Sequence, residues 1–166
     1  MIVLGIDPGT ATTGYGLLRE HKDGSLSVID YGVILTPADD PMPERLLTLN
    51  RKLKETILLH RPISGAVEKL FFQKNVRTAL SVGQARGVVL LTLAEAGMAI
   101  SEYTPLEVKQ AVVGYGGADK NQVQQMVRAL LGLKEIPQPD DAADALAIAI
   151  CHIHSSRMRS LMESAG

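Results

Sequence analysis

Acidic side chains stand at positions where the surrounding pattern favours apolar residues, and they are the first candidates for chemistry. Asp7 directly follows an apolar strand pattern, Glu68 interrupts a second one, and Asp144 lies at the start of an apolar helix. A buried carboxylate is unfavourable unless a cation or hydrogen bonds compensate its charge. Two ordinary explanations remain open: Asp7 caps the turn at Pro8, and Glu68 faces solvent on a half-exposed strand.

The pair Asp141 and Asp144 strengthens the case that positive charge must compensate these acids. Residues three apart on a helix share a face, with Cβ atoms roughly 5–6 Å apart. Two like charges about 5 Å apart cost on the order of 3 kcal/mol at an effective dielectric constant of roughly 20. No Lys or Arg occurs from Ile136 to Ile150. Capping and the helix dipole explain acids in a first turn, and we favour that explanation for Asp140. For the pair, either distant bases or divalent cations must neutralise the charge.

If Asp7, Glu68, Asp141 and Asp144 converge, they form a site made only of oxygen ligands. Such a site suits Mg²⁺ or Mn²⁺, whereas zinc prefers His and Cys. The single cysteine, Cys151, lies within a helical pattern without a visible activating partner, so nucleophilic thiol chemistry is not indicated.

Length and composition define the class of protein. The chain has 166 residues, 46% of them hydrophobic, and a net charge of −1 from 17 basic and 18 acidic residues. We expect one soluble domain without a membrane span, located in the reducing cytoplasm. Setting four acids aside for a metal site leaves 14 acids against 17 bases, so the net charge does not exclude DNA as a ligand.

The elements that must position these acids follow from hydropathy and turn residues. The first strand is apolar on both faces, which is typical of a central strand. The turn at Asp23-Gly24 predicts a hairpin, so the first three strands form an antiparallel meander. The predicted strands span residues 1–6, 14–18, 26–36, 63–70 and 98–103. The predicted helices span residues 44–60, 76–96, 105–114, 119–131 and 140–162.

Together these elements predict an α/β fold with a five-stranded mixed sheet, three antiparallel strands followed by two parallel ones. Helices should cover both faces of the sheet. We expect one domain over residues 1–166, with residues 156–166 as a peripheral C-terminal tail.

Six motifs in order make the chain resemble the RuvC family of Holliday-junction resolvases. The resemblance covers nearly the whole chain and fades after about Ser155. The motifs are Gly5-Ile6-Asp7-Pro8-Gly9 with Thr13-Gly14-Tyr15-Gly16, Glu68-Lys69-Leu70-Phe71-Phe72, Gly83-Gln84-Ala85-Arg86-Gly87, Val108-Lys109-Gln110, Gly114-Tyr115-Gly116-Gly117-Ala118-Asp119-Lys120 and Asp141-Ala142-Ala143-Asp144-Ala145-Leu146-Ala147.

This resemblance implies a ribonuclease H-like fold and a homodimeric, metal-dependent endonuclease. Such an enzyme resolves four-way (Holliday) DNA junctions by paired symmetric nicks during homologous recombination and DNA repair, leaving 5′-phosphate and 3′-hydroxyl ends. The metal-binding catalytic residues would be Asp7, Glu68, Asp141 and Asp144, holding two Mg²⁺ ions, with Mn²⁺ as a possible substitute. By analogy with the family, the branch-migration proteins RuvA and RuvB are expected partners.

The resemblance also assigns DNA contacts. Phe71 matches the aromatic residue that packs against junction bases, and Lys109 and Lys120 match basic residues near the scissile phosphodiester. Their ordinary alternative is that both lysines are solvated surface residues. Lys69 departs from the family, which often has Gln there, and we assign it no role.

The chain's only two phenylalanines, Phe71 and Phe72, are adjacent in a loop that also carries Lys74, with Arg77 just beyond it. Neighbouring residues on a strand point to opposite faces, so at least one ring is expected to be exposed or buried in a partner. Stacking on an unpaired base is worth about 1–3 kcal/mol. We therefore include Phe71, Phe72, Lys74 and Arg77 among the candidate DNA-binding residues.

The helix over residues 76–96 carries Gly83 and Gly87 beside Ala79, a flat surface suited to close packing. From the residues alone, packing within the monomer and packing across a dimer are equally compatible with this surface. In the resembling family this helix forms the dimer interface, which favours a twofold dimer with two active sites.

Three other functions compete with junction cleavage. An Asp-x-Gly loop after a first strand also occurs in sugar kinases and actin-like ATPases, but those need two such domains and far longer chains. A nuclease of the RuvX/YqgF type would act on RNA or other branched nucleic acid. It is expected to lack the loop over residues 114–120 and the Asp-Ala-Ala-Asp spacing of residues 141–144. A non-catalytic junction-binding module would not require all four acids.

Overall fold

The first strand lies at the centre of a five-stranded sheet, as its apolar sequence on both faces predicts. The computed structural model describes residues 1–69 and 75–166. The strands are β1 (Ile2–Asp7), β2 (Thr12–Glu20), β3 (Leu26–Leu35), β4 (Ser64–Glu68) and β5 (Ala99–Tyr103). Their order across the sheet is β3-β2-β1-β4-β5.

The sheet is mixed in the predicted way. β1 pairs antiparallel with β2 and β2 pairs antiparallel with β3, whereas β1 pairs parallel with β4 and β4 with β5. The turn between β2 and β3 is closed by Asp23, which accepts hydrogen bonds from the backbone and side chain of Ser25. Gly24 adopts a φ of +85°, a conformation that glycine reaches without strain.

Five helices cover both faces of this sheet. They are α1 (Met42–His60), α2 (Val76–Glu95), α3 (Pro105–Val113), α4 (Lys120–Leu130) and α5 (Asp140–Ser164). The apolar faces of α1 and α2 pack on one side of the sheet, against Leu4 and Ile6 of β1. The apolar faces of α3, α4 and α5 pack on the other side, with Val3 of β1. The prediction of helices on both faces is confirmed.

The last helix lies directly on the sheet because small residues allow close approach. A Cβ atom added to Gly5 of β1 would collide with the backbone of α5 at Ala145 and Ala149. One added to Gly14 of β2 would collide with the backbone at Asp141. These glycines therefore set how closely the first turns of α5 approach β1 and β2.

Element boundaries agree with the predicted ones to within a few residues. The predicted tail is a continuation of α5, which runs to Ser164 and is exposed from Met158 onwards. Arg157 fixes the last partly buried turn by binding Glu20 and the carbonyl oxygen of Gly24. None of the helices in the described ranges combines the length and apolarity that a bilayer crossing requires.

Candidate active site

Asp7 and Glu68 are neighbours because they end two adjacent parallel strands. β1 and β4 pair in parallel with Ile6 opposite Val67, so the next residue of each strand lies at the same edge of the sheet. Both side chains are only partly exposed, and a hydrogen bond links the two carboxyl groups. The carboxyl end of a parallel strand pair is a common location for ligand sites in α/β sheets.

The third and fourth acids come from the first turns of α5, which pass over this edge. One carboxylate oxygen each from Asp7, Asp141 and Asp144 lie within 4.8 Å of one another. The close contact between Gly14 and the backbone at Asp141 explains why Asp141 lies near Asp7, because Gly14 pairs with Asp7 in the sheet. The structure thus brings together all four acids that the sequence singled out, from three separate segments.

Burial disfavours the ionised forms of Asp7, Glu68 and Asp144. Burial, together with the neighbouring charges of Glu68 and Asp144, raises the pKa of Asp7 to about 8. Burial also raises the pKa of Glu68, although its hydrogen bond with Asp7 opposes the change. For Asp144, burial raises the pKa while the charge of Lys120 opposes it. Converging, poorly ionised oxygen ligands of this kind are compatible with a divalent cation, which would favour their charged form.

A distant base supplies part of the missing positive charge. The Nζ atom of Lys120, at the start of α4, lies 3.1 Å from Asp140 and 3.6 Å from Asp144. Partial burial lowers the pKa of Lys120, but its hydrogen bonds and charge interactions with these acids outweigh that effect and raise it overall. Of the two forms of compensation left open by the sequence, distant bases therefore contribute. One ammonium group serves a cluster of several acids.

Asp140 does not cap α5 through its side chain, contrary to our preferred explanation. The residue at the cap position is Pro139, and no side chain accepts a capping hydrogen bond there. The carboxylate of Asp140 instead binds Lys120 and accepts a hydrogen bond from Gln124 of α4 at 3.2 Å. Its location in the first turn of α5 still suits the positive end of the helix dipole.

Lys109 and Lys120 border the same cleft as the acids. An open cleft of about 220 Å³ is lined by Glu68 and Asp144 together with both lysines. Its apolar floor includes Val108 of α3. Lys120 is the first residue of α4, whose start is fixed by a capping box between Asp119 and Gln122. A helix start beside a lysine is a suitable place for a phosphate group.

The remaining candidate DNA contacts are only partly described. Arg77 lies in the exposed first turn of α2, where Asn75 caps the helix by accepting hydrogen bonds from the backbone of Arg77 and Thr78. Phe71, Phe72 and Lys74 lie outside the described residues.

Arg86 is a residue of the site for which sequence reasoning gave no role. Its Nε atom donates a hydrogen bond to the backbone carbonyl oxygen of Glu68 at 3.3 Å, and its guanidinium also pairs with Glu102 of β5. Arg86 thereby ties α2 to the end of β4. The signal in the sequence was its position in the motif Gly83-Gln84-Ala85-Arg86-Gly87, but spacing alone does not show which carbonyl group it binds.

The histidines contribute no ligand to the acidic cluster within the described ranges. His152 is buried in α5, and its two ring nitrogens pair with Tyr103 Oη and Ser64 Oγ. His154 bonds to the carbonyl oxygen of Ala111. Both side chains are engaged in hydrogen bonds that connect α5 to β4, β5 and α3.

Comparison with known proteins is consistent with this geometry. Residues 3–152 match the family described as "Crossover junction endodeoxyribonuclease RuvC". A RuvC protein of this description from Desulfitobacterium hafniense (strain DSM 10664 / DCB-2) is 61% identical over 165 residues, which cover 99% of each chain.

Solved structures agree with the sequence match. The structure "T. thermophilus RuvC in complex with Holliday junction substrate" is 37% identical, covers 95% of this chain and 96% of that one, and superposes with a TM-score of 0.87. The yeast mitochondrial Holliday junction resolvase Ydc2 shares the fold at 15% identity, with a TM-score of 0.70 over 99% of this chain and 86% of that one. The predicted ribonuclease H-like architecture is confirmed. The chain belongs to the RuvC family and is, as its motifs predicted, a crossover junction endodeoxyribonuclease.

Proposed function

We propose that the protein resolves four-way DNA junctions with Asp7, Glu68, Asp141 and Asp144 as its catalytic, metal-holding residues. The observation that carries this proposal is the convergence of these acids at one edge of the sheet, in a chain of the RuvC family. The expected reaction is hydrolysis of a phosphodiester bond, with paired symmetric nicks that leave 5′-phosphate and 3′-hydroxyl ends. Its roles would be in homologous recombination and DNA repair.

The donor set fits divalent cations. Asp7, Asp141 and Asp144 offer oxygen atoms close enough together for one ion, and Glu68 lies beside Asp7 for a second. Mg²⁺ prefers such carboxylate sites, and Mn²⁺ accepts the same ligands. When bound, two such ions activate water and neutralise charge that develops on the phosphate and the leaving oxygen. The raised pKa values of Asp7, Glu68 and Asp144 support this fit, since burial and mutual repulsion raise them and a bound cation would offset both.

The basic residues orient the DNA backbone. Lys109 and Lys120 line the same cleft as Glu68 and Asp144, so a phosphate drawn in by both lysines would lie next to these acids. Lysine is a compact point charge and suits a phosphate that must move during the reaction. Phe71, Phe72, Lys74 and Arg77 remain the proposed contacts to the junction bases and to the flanking backbone.

A homodimer supplies two active sites for two strands. On α2 the side chains of Val76, Leu80 and Leu91 are exposed, and a Cβ atom added to Gly87 would meet no atom within 4 Å. Exposed apolar residues beside an open glycine support a closely packed interface with a second copy of this helix. Leu80→Glu should therefore shift the protein towards monomers in sedimentation velocity, whereas Leu161→Glu, on the exposed end of α5, should not. A Leu80→Glu variant that remains dimeric would refute this interface.

Family membership further suggests the cellular setting. We propose a cytoplasmic protein that works with the branch-migration proteins RuvA and RuvB. The competing functions are less well supported. The comparisons place the chain among RuvC proteins rather than the RuvX/YqgF type, and all four proposed catalytic acids are present.

The deciding experiment incubates the protein with a mobile four-way junction and with linear duplex of matched sequence, with and without Mg²⁺ or Mn²⁺. Junction-selective, symmetric nicking that requires the metal and is lost in Asp7→Asn is the expected result. Asp39→Asn, an exposed acid in the loop before α1, serves as a matched control. Binding without cleavage under either metal would indicate a non-catalytic module, and cleavage of RNA or linear duplex instead would overturn the substrate.

A further inference from the structure

We propose that Asp140 is a positioning residue that holds Lys120 at the edge of the acidic cleft. This inference rests on the proposed function, because it concerns how Lys120 meets the scissile phosphate. The ammonium group of Lys120 is shared unequally between two carboxylates: it lies 3.1 Å from Oδ2 of Asp140 and 3.6 Å from Oδ2 of Asp144. The nearer partner, Asp140, is outside the group of acids that converge for a metal ion.

Asp140 is itself held in place by the helix that carries the lysine. Gln124 donates a hydrogen bond from Nε2 to Oδ1 of Asp140 at 3.2 Å, so each carboxylate oxygen has its own partner on α4. Lys120 and Gln124 are four residues apart and share one face of the helix. The capping box of Asp119 and Gln122 fixes the helix start immediately beside this contact. The result is a two-point connection between the N-terminal turns of α4 and α5.

The arrangement matters when a cation is bound. Asp144 would then direct its charge towards the metal, which would weaken its hold on Lys120. Asp140 keeps its full charge for Lys120, because it takes no part in the metal cluster. A lysine side chain loses considerable rotamer entropy when it is fixed, and a partner that fixes it beforehand reduces that loss during the reaction. Asp140 therefore keeps the ammonium group at the cleft, beside Glu68 and Lys109, where the phosphate enters.

The primary test is the single-turnover rate of junction cleavage at saturating protein and saturating Mg²⁺. Asp140→Asn should lower this rate about three- to fivefold, which is the upper part of the range measured for exposed ion pairs. The dissociation constant of the junction, measured in EDTA, should change less than about twofold, because Lys120 remains free to meet the backbone. Glu135→Gln removes an exposed acid from the loop before α5 and controls for net charge.

A double-mutant cycle separates positioning from a general effect of the charge on the metal site. In the Lys120→Met background, Asp140→Asn should produce no further loss of rate, because the residue through which it acts is gone. Gln124→Met should act in the same direction as Asp140→Asn without changing the charge. The NMR order parameter of the Lys120 Cε methylene group is a readout independent of cleavage. This order parameter should fall in Asp140→Asn but not in Glu135→Gln.

The outcomes are distinct. An Asp140→Asn variant with the wild-type cleavage rate and unchanged Lys120 order overturns the inference, while the proposed function stands. An equal loss of rate in the Lys120→Met background also overturns it, because the charge then acts without the lysine. If the wild-type protein cuts no junction with either metal, the proposed function itself fails. In that case the order of Lys120 still shows whether Asp140 holds it.

Discussion

Replacing Asp7 by Asn should stabilise the metal-free protein at pH 8 while abolishing junction cleavage. Burial and the neighbouring carboxylates raise the pKa of Asp7 from 3.8 to about 8. The folded chain therefore keeps a proton that the unfolded chain releases near pH 4. Because the native state binds more protons, the free energy of unfolding decreases as the pH rises from about 4 to about 8. Above pH 8 the decrease stops, since the folded protein also releases the proton.

The size of the effect follows from the same pKa values. The difference between a pKa of 3.8 in the unfolded chain and about 8 in the folded chain corresponds to about 5–6 kcal/mol of unfolding free energy, at 1.36 kcal/mol for each pKa unit. That figure is an upper bound for the single residue, because Asp7 and Glu68 share a hydrogen bond and titrate together. An amide also needs hydrogen-bond partners of its own, which offsets part of the gain. We expect Asp7→Asn to be about 2–3 kcal/mol more stable than wild type at pH 8 and nearly equal to it at pH 4.

Urea denaturation in EDTA, followed by circular dichroism between pH 4 and pH 9, measures this difference. Asp39→Asn should remain within about 0.5 kcal/mol of wild type throughout, as expected for an exposed surface residue. Adding Mg²⁺ should stabilise the wild type more than Asp7→Asn, because a ligand stabilises only the state that binds it. If Asp7→Asn is less stable than wild type at pH 8 in EDTA, the reasoning from buried, repelling carboxylates is wrong.

Two further perturbations test the framework that holds the acids. Gly14→Ala should destabilise the fold by about 1–3 kcal/mol, because its methyl group would collide with the backbone of α5 at Asp141. Gly166→Ala, at the exposed end of the chain, where the nearest atom to the added Cβ is 3.9 Å away, is the thermal-melting control. Arg86→Met should reduce the cleavage rate about tenfold by releasing the end of β4, with little change in junction binding. Wild-type melting of Gly14→Ala, or a wild-type rate in Arg86→Met, would contradict these expectations.

Much of the fold follows from local patterns in the sequence. The apolar run of β1 predicts a central strand, and the turn at Gly24 predicts the hairpin that makes the first strands antiparallel. The continuous apolar sequence after Asp144 predicts a helix buried against the sheet. These features depend on hydrophobic burial and on backbone conformations that neighbouring residues determine, so they can be recognised without knowing what lies opposite.

The sequence also identified the four acids as candidates, but it did not show that they lie together in space. An acid in an apolar pattern shows that something must compensate it; only the parallel pairing of β1 with β4 and the close contact of α5 at Gly14 bring the acids to one edge. The partner of Lys120 and the contact of Arg86 with Glu68 are long-range as well. The residue type sets the chemistry of a side chain, and neighbouring residues largely determine the local conformation. Distances between separate segments instead depend on how the whole core packs.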